Sequence, residues 1–185
     1  MLDMAVGAAK WREGLFLSAQ EVLETMFFTP VHGEAERGEE PREENCGGFA
    51  RLGVSLDFDG DLRGRFAVSV EPACADGIAA NFLGADDPFG LADGQTGQVL
   101  CELANMICGA VLSRVQPGGR FDLTHPEVVN PPKPLGQDQI SVAIGLEDGQ
   151  VRMRLTLRKH RAKRTRRERV SEPKADARRV LCALE

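Results

Sequence analysis

The chain has 185 residues, 42% of them apolar, which suits one globular domain with its own core and excludes a disordered polypeptide. Its net charge is -5, and no run approaches 18 consecutive apolar residues, which argues against a membrane-spanning helix. Met1–Lys10 lacks the basic and apolar regions of a secretory signal, so the expected location is the cytoplasm.

Leu15–Phe28 has helical spacing, with Leu15, Ala19, Val22, Leu23, Met26 and Phe27 on one side. Ser18 and Glu21 have the spacing of a capping box, with Leu17 and Val22 as its hydrophobic staple. An earlier start near Ala8 fits equally well, and Pro30 is the expected stop. Residues 32–48 hold six glutamates (Glu34, Glu36, Glu39, Glu40, Glu43 and Glu44) among Gly and Pro. They have too few apolar groups to bury and are read as a mobile acidic loop. Leu52, Val54, Leu56 and Phe58 then alternate, as do Phe66, Val68 and Val70, which predicts a hairpin turning at Asp59-Gly60-Asp61.

Glu71-Pro72 ends that hairpin, and Ala73–Leu83 reads as a short helix. A Gly/Asp/Pro-rich connection leads to a long helix, Gln95–Val115, closed by Pro117-Gly118-Gly119. Phe121–Val129 is extended and broken at Pro126. The second hairpin alternates through Ile140, Val142, Ile144 and Leu146, then Val151, Met153, Leu155 and Leu157, with Asp148-Gly149 as the tight turn. Each half of the chain offers one long helix and then one antiparallel strand pair. This suggests an internal duplication and an α+β fold, with an antiparallel sheet of two hairpins packed against two long helices.

Residues 152–179 hold thirteen Lys/Arg against Glu168, Glu172 and Asp176, peaking at Arg158–Arg169. The domain is assigned to residues 1–159 and a basic C-terminal tail to residues 160–185. Such a block suits phosphate backbones or acidic partners. Without interleaved aromatics or a nucleic-acid motif, it reads as a solvated or self-docking tail, and nucleic acid is not an expected partner. The five cysteines form no CxxC pair and there are three histidines, so no metal site or disulfide framework is expected. Cys101, Cys108 and His125 are read as packing or idle residues.

On the long helix, Val99, Leu100, Leu103, Met106, Ile107, Ala110, Val111 and Val115 fall on one broad arc at 100° per residue. Gln98, Glu102, Asn105 and Gly109 fall opposite. Glu102 and Asn105 point outward together, and Gly109 leaves bare backbone beside them for another molecule. An asparagine there costs about 0.6 kcal/mol relative to Ala and gains no packing, which hints at a function.

Glu102-Leu-Ala-Asn105-Met-Ile-Cys-Gly109 resembles the ExxN active-site helix of the CheC/CheX/FliY family of chemotaxis phosphatases. Phe121-Asp-Leu-Thr-His-Pro126-Glu-Val-Val129 is similar to the segment that follows that helix in CheX, and Ser18–Phe28 to the family's first helix. The order of elements matches over residues 10–158. Departures are Gln98, where the family often has Asp or Ser, and Glu24, where a second site would need Asn. The resemblance is therefore to the single-site pattern of CheX, with a silent first helix. It implies hydrolysis of the aspartyl phosphate of a CheY-like receiver domain in chemotaxis or two-component signalling. Asn105 would position the attacking water and Glu102 would anchor the receiver. Gln98 and Gly109 would line the partner surface. No cofactor of its own is implied, since the receiver supplies Mg²⁺. Exposed strand edges and the likeness to CheX make a homodimer an expectation. The rival reading is a non-catalytic CheX-like module that docks a receiver or another signalling partner.

Overall fold

The computed structural model describes residues 2–35, 51–129 and 139–158. The first helix, α1, runs Leu2–Met26, starting well before both expected starts. Ser18 is therefore in mid-helix and fully buried, not at an N-cap. Leu17, the expected staple, is 40% exposed. Gly14, inside this helix, serves close approach. A Cβ there would lie 2.5 Å from Val115 Cγ2 on the second long helix.

The end of α1 also differs from expectation. The helix stops at Met26, ahead of Pro30, because Phe28 adopts a left-handed conformation with φ of 50°. Thr29 N–H then donates to Leu23 O at 2.9 Å, which gives a carbonyl of the last helical turn a partner. Residues 32–35, assigned by composition to the acidic loop, instead lie along a strand edge. His32 N–H donates to Gly145 O and Ala35 N–H to Ala143 O, both at 2.9 Å. Residues 36–48 of that loop and all of the basic tail lie outside the described residues.

Strands β1 (Leu52–Gly60) and β2 (Arg63–Val70) form the first hairpin. Its turn is Asp61-Leu62, later than expected. Gly60 remains in the strand because it pairs with Phe121, and its Cα faces Arg120 O too closely for any side chain. Helix α2 (Pro72–Leu83) starts on Pro72, whose missing N–H costs nothing in the first helical turn. Helix α3 spans Gln95–Val115 as predicted. Two short strands follow, β3 (Phe121–Leu123) and β4 (Glu127–Val128), separated by Pro126. Strands β5 (Gln139–Leu146) and β6 (Gly149–Arg158) form the last hairpin, with Glu147-Asp148 as the turn and Gly149 at φ of 145° just after it.

The sheet order is β3-β1-β2-β6-β5, all antiparallel, with β4 also paired to β1. The two hairpins meet at β2 and β6, and the duplication is visible in how the halves exchange partners. Helix α1 of the first half lies on β5 of the second, and α3 of the second lies on β1 of the first. The residues after each long helix line the other half's outer strand, 32–35 on β5 and 121–128 on β1. Both sheet edges expected to be open are thus partly covered.

Among the described residues, helices α1, α2 and α3 and one sheet face share a single core that includes Leu15, Phe27, Phe58, Phe66, Ile107 and Met153. By length and composition α3 is apolar enough to cross a membrane. Its apolar side is instead the centre of this core, where Leu103, Ala104, Ile107 and Val111 are fully buried. The buried side is wider than the predicted arc. Ala104, Cys108 and Leu112 are sealed as well, because α1, α2 and the sheet wrap α3 from three directions.

Candidate active site on the third helix

The burial of α3 fixes which way its polar residues face. Gln98 and Glu102 are exposed, and Asn105 and Gly109 are half-buried. The four predicted site residues therefore share one face, and Asn105 is seated between neighbours without entering the core. Among the described residues, neither Glu102 nor Asn105 has a side-chain hydrogen bond or ion pair. A Cβ on Gly109 would meet nothing within 4 Å, so the backbone there lies open to another molecule. Met106 and Ala110, expected on the buried arc, are half-buried at its rim.

The segment around Pro126 walls one side of this face. Cys101 donates its S–H to Pro126 O at 3.7 Å, and Val128 Cγ2 lies 3.3 Å from the Cβ position of Gly97. These contacts press β4 against the N-terminal half of α3. Burial raises the Cys101 thiol above its ordinary range and pushes Cys108 up to about 12, so neither is a thiolate nucleophile near neutral pH. His125 is exposed in the loop between β3 and β4. Among the described residues, no group of three or more His, Cys, Asp or Glu side chains is placed to hold a metal ion.

The matching face of α1 is already engaged. Arg114, on the last turn of α3, donates from Nε to buried Ser18 Oγ at 3.0 Å and forms an ion pair with Glu21. Glu24 accepts a hydrogen bond from Gln20 Nε2 at 3.2 Å. The two duplicated helices thus differ chemically. One presents an acid and an amide without internal partners, and the other spends its first acid on fastening the helices together. This clamp is not visible in the sequence, because it depends on the register between two helices almost a hundred residues apart.

Such a face has limited but definite chemistry. A carboxamide accepts from water through its oxygen and donates through its NH₂, without titrating at neutral pH. A free carboxylate one turn away offers an electrostatic anchor for a cationic partner group. There is no nucleophile and no strong base, so the arrangement suits a reaction limited by placement rather than by proton transfer.

Fold and site together define a CheC-like α+β domain with one ExxN helix presented to solvent. Residues 52–138, from β1 through β4, match the family model described as chemotaxis phosphatase CheX. This match, over 87 of the 185 residues, supports a relation to the CheC/CheX/FliY family of chemotaxis phosphatases. No curated protein matches its sequence. Among solved structures, it is similar to a CheX from Desulfovibrio desulfuricans, with TM-score 0.63 and 16% identity over 80% of this chain and 99% of that one. It is also similar to the CheX–CheY–BeF₃–Mg²⁺ complex from Borrelia burgdorferi, with TM-score 0.61 and 19% identity over 80% and 97%. FliY of Thermotoga maritima aligns with TM-score 0.56 and 12% identity over 77% and 84%. At these identities the structural matches speak for the fold.

Proposed function

We propose that this protein hydrolyses the aspartyl phosphate of a CheY-like receiver domain by positioning the attacking water. The observation that carries the reading is the pair Glu102 and Asn105, one turn apart, without internal partners, beside the open backbone of Gly109. A relative of the same fold has been solved with CheY and Mg²⁺, which supports a receiver as the partner.

An acyl phosphate is intrinsically labile, and phosphoryl transfer depends on alignment and charge neutralisation more than on a strong base. The Asn105 carboxamide holds a water in line with the P–O bond. Glu102 pairs with a cationic group beside the phosphorylation site and docks the two surfaces, while Gln98 and Gly109 line the contact. Mg²⁺ on the receiver neutralises the phosphoryl oxygens, so the protein needs no metal of its own. Both key residues come from one chain, so the site is complete without a second copy. The role belongs in the cytoplasm.

The test is the decay of a phosphorylated receiver in Mg²⁺, with and without the protein. Faster decay at substoichiometric protein supports the reading. Unchanged decay alongside measurable binding rejects it and leaves a docking module.

A further inference from the structure

The outward face of the sheet carries a charge pattern that the site on α3 does not use. Strand alternation turns Arg63 and Arg65 of β2, and Arg152, Arg154 and Arg158 of β6, away from the core. The acids of this face stand to one side. Asp57 and Asp59 are on β1, and Asp57 holds Arg65 through hydrogen bonds of 2.7 and 2.8 Å. Toward β5 the neighbours are small. Ser69 and Ala143 flank Arg152, and Ala67 and Ser141 flank Arg154. Ala67, Ser69 and Thr156 are 6%, 7% and 8% exposed, although strand alternation turns them to this outward face. Thr156 Oγ1 is buried without a hydrogen-bond partner.

The path of the chain leads across this face. Ala35 is bonded to Ala143, and Ala143 is in register with Arg152, Arg152 with Ser69, and Ser69 with Gly53. Residues 36–50 leave the fold at one end of that row and rejoin it at Arg51, next to the other end. The row spans four interstrand steps, about 19 Å at about 4.8 Å each. A connection of this length reaches about 50 Å when extended, so it can cross with residues to spare. The opposite face is filled by the three helices. The connection carries Glu36, Glu39, Glu40, Glu43 and Glu44 against Arg37 and Arg42.

We propose that the outward sheet face, centred on Arg152 and Arg154, is the docking surface of the chain's own acidic segment, residues 36–50. Glutamates tethered at both ends of the row meet the arginines at an effective concentration in the millimolar range or above. Guanidinium–carboxylate contacts are charge-assisted and can be bidentate. The small residues beside each arginine leave room for a crossing backbone. Docked there, the segment neutralises the face and keeps other polyanions off it. The proposal is independent of the reading of α3.

The test uses the full chain carrying Arg152→Lys and Arg154→Lys, which keep charge and fold, treated with a zero-length carbodiimide. The expected result is an amide within one chain between an introduced lysine and a glutamate of 36–44. It should be suppressed at about 0.5 M salt, where screening is complete within a few ångströms. Links to Asp138, links between chains, or no links at these lysines would each overturn the proposal. A second measurement uses the unaltered protein. Cleavage by a glutamate-specific protease within 36–44 should be several-fold slower at low salt than at high salt, and equal rates would overturn it. Nucleic acid that co-purifies and leaves the face only at high salt would also overturn it, in favour of an external polyanion.

Discussion

Asn105 costs α3 about 0.6 kcal/mol relative to Ala, and among the described residues its side chain has no hydrogen bond in return. Glu102 and Gly109 have the same character, each tolerated by the fold without serving it. Gly109 makes this measurable. Its Cβ would touch nothing, so Gly109→Ala should stabilise the protein by about 0.5–1 kcal/mol in chemical denaturation. The same change should weaken receiver dephosphorylation, because the added methyl stands where the partner approaches. Loss of stability would show that Gly109 serves the fold. Glu102→Ala should raise the concentration of receiver needed for half-maximal rate and flatten the salt dependence of association. The cysteines give a simpler check. With its thiol pushed up to about 12 by burial, Cys108 stays protonated from pH 6 to pH 9 and should resist maleimide until the protein unfolds. Labelling of the folded protein at Cys108 would contradict the burial.

At the scale of elements, α3 and both hairpins were legible because each has an unbroken period, 3.6 for the helix and 2 for the strands. What failed was punctuation. Ser18 and Glu21 match a capping box in spacing, but an Ala-rich stretch before them is also a good helix, and only packing against α3 decides. Gly14 sits inside the helix because α1 approaches Val115 of a distant element closely there. The turns moved for a similar reason, since Gly60 is held in β1 by β3. The face bearing Glu102 and Asn105 was legible from one helix alone. The clamp of Arg114 on Ser18 and Glu21 was not. Arg114→Ala should destabilise by about 1–2 kcal/mol, since it leaves the buried Ser18 hydroxyl without its donor. For a chain of this size that is a loss of about 3–8 °C in melting temperature. Glu21→Ala, which removes only the exposed ion pair, should cost less than about 1 kcal/mol.

At the scale of the molecule, the duplicated halves exchange helices over a continuous sheet, so each long helix packs on the hairpin of the other half. This gives two structurally equivalent outward faces, and only α3 presents an acid and an amide without internal partners. The described fold closes at Arg158, the last residue of β6. Truncation after Lys159 should therefore change the melting temperature by less than about 5 °C, and a larger drop would make the tail part of the core. The function proposed for α3 rests on the asymmetry of the two faces. It is tested most directly by receiver dephosphorylation at saturating receiver, compared among the unaltered protein, Asn105→Ala, Glu21→Ala and Glu24→Ala, with binding measured in parallel. Asn105→Ala should lose about 10²-fold or more in turnover with affinity roughly intact. The two α1 variants should stay within about threefold of the unaltered protein. Near-normal turnover in Asn105→Ala, or loss of activity in the α1 variants instead, would contradict it.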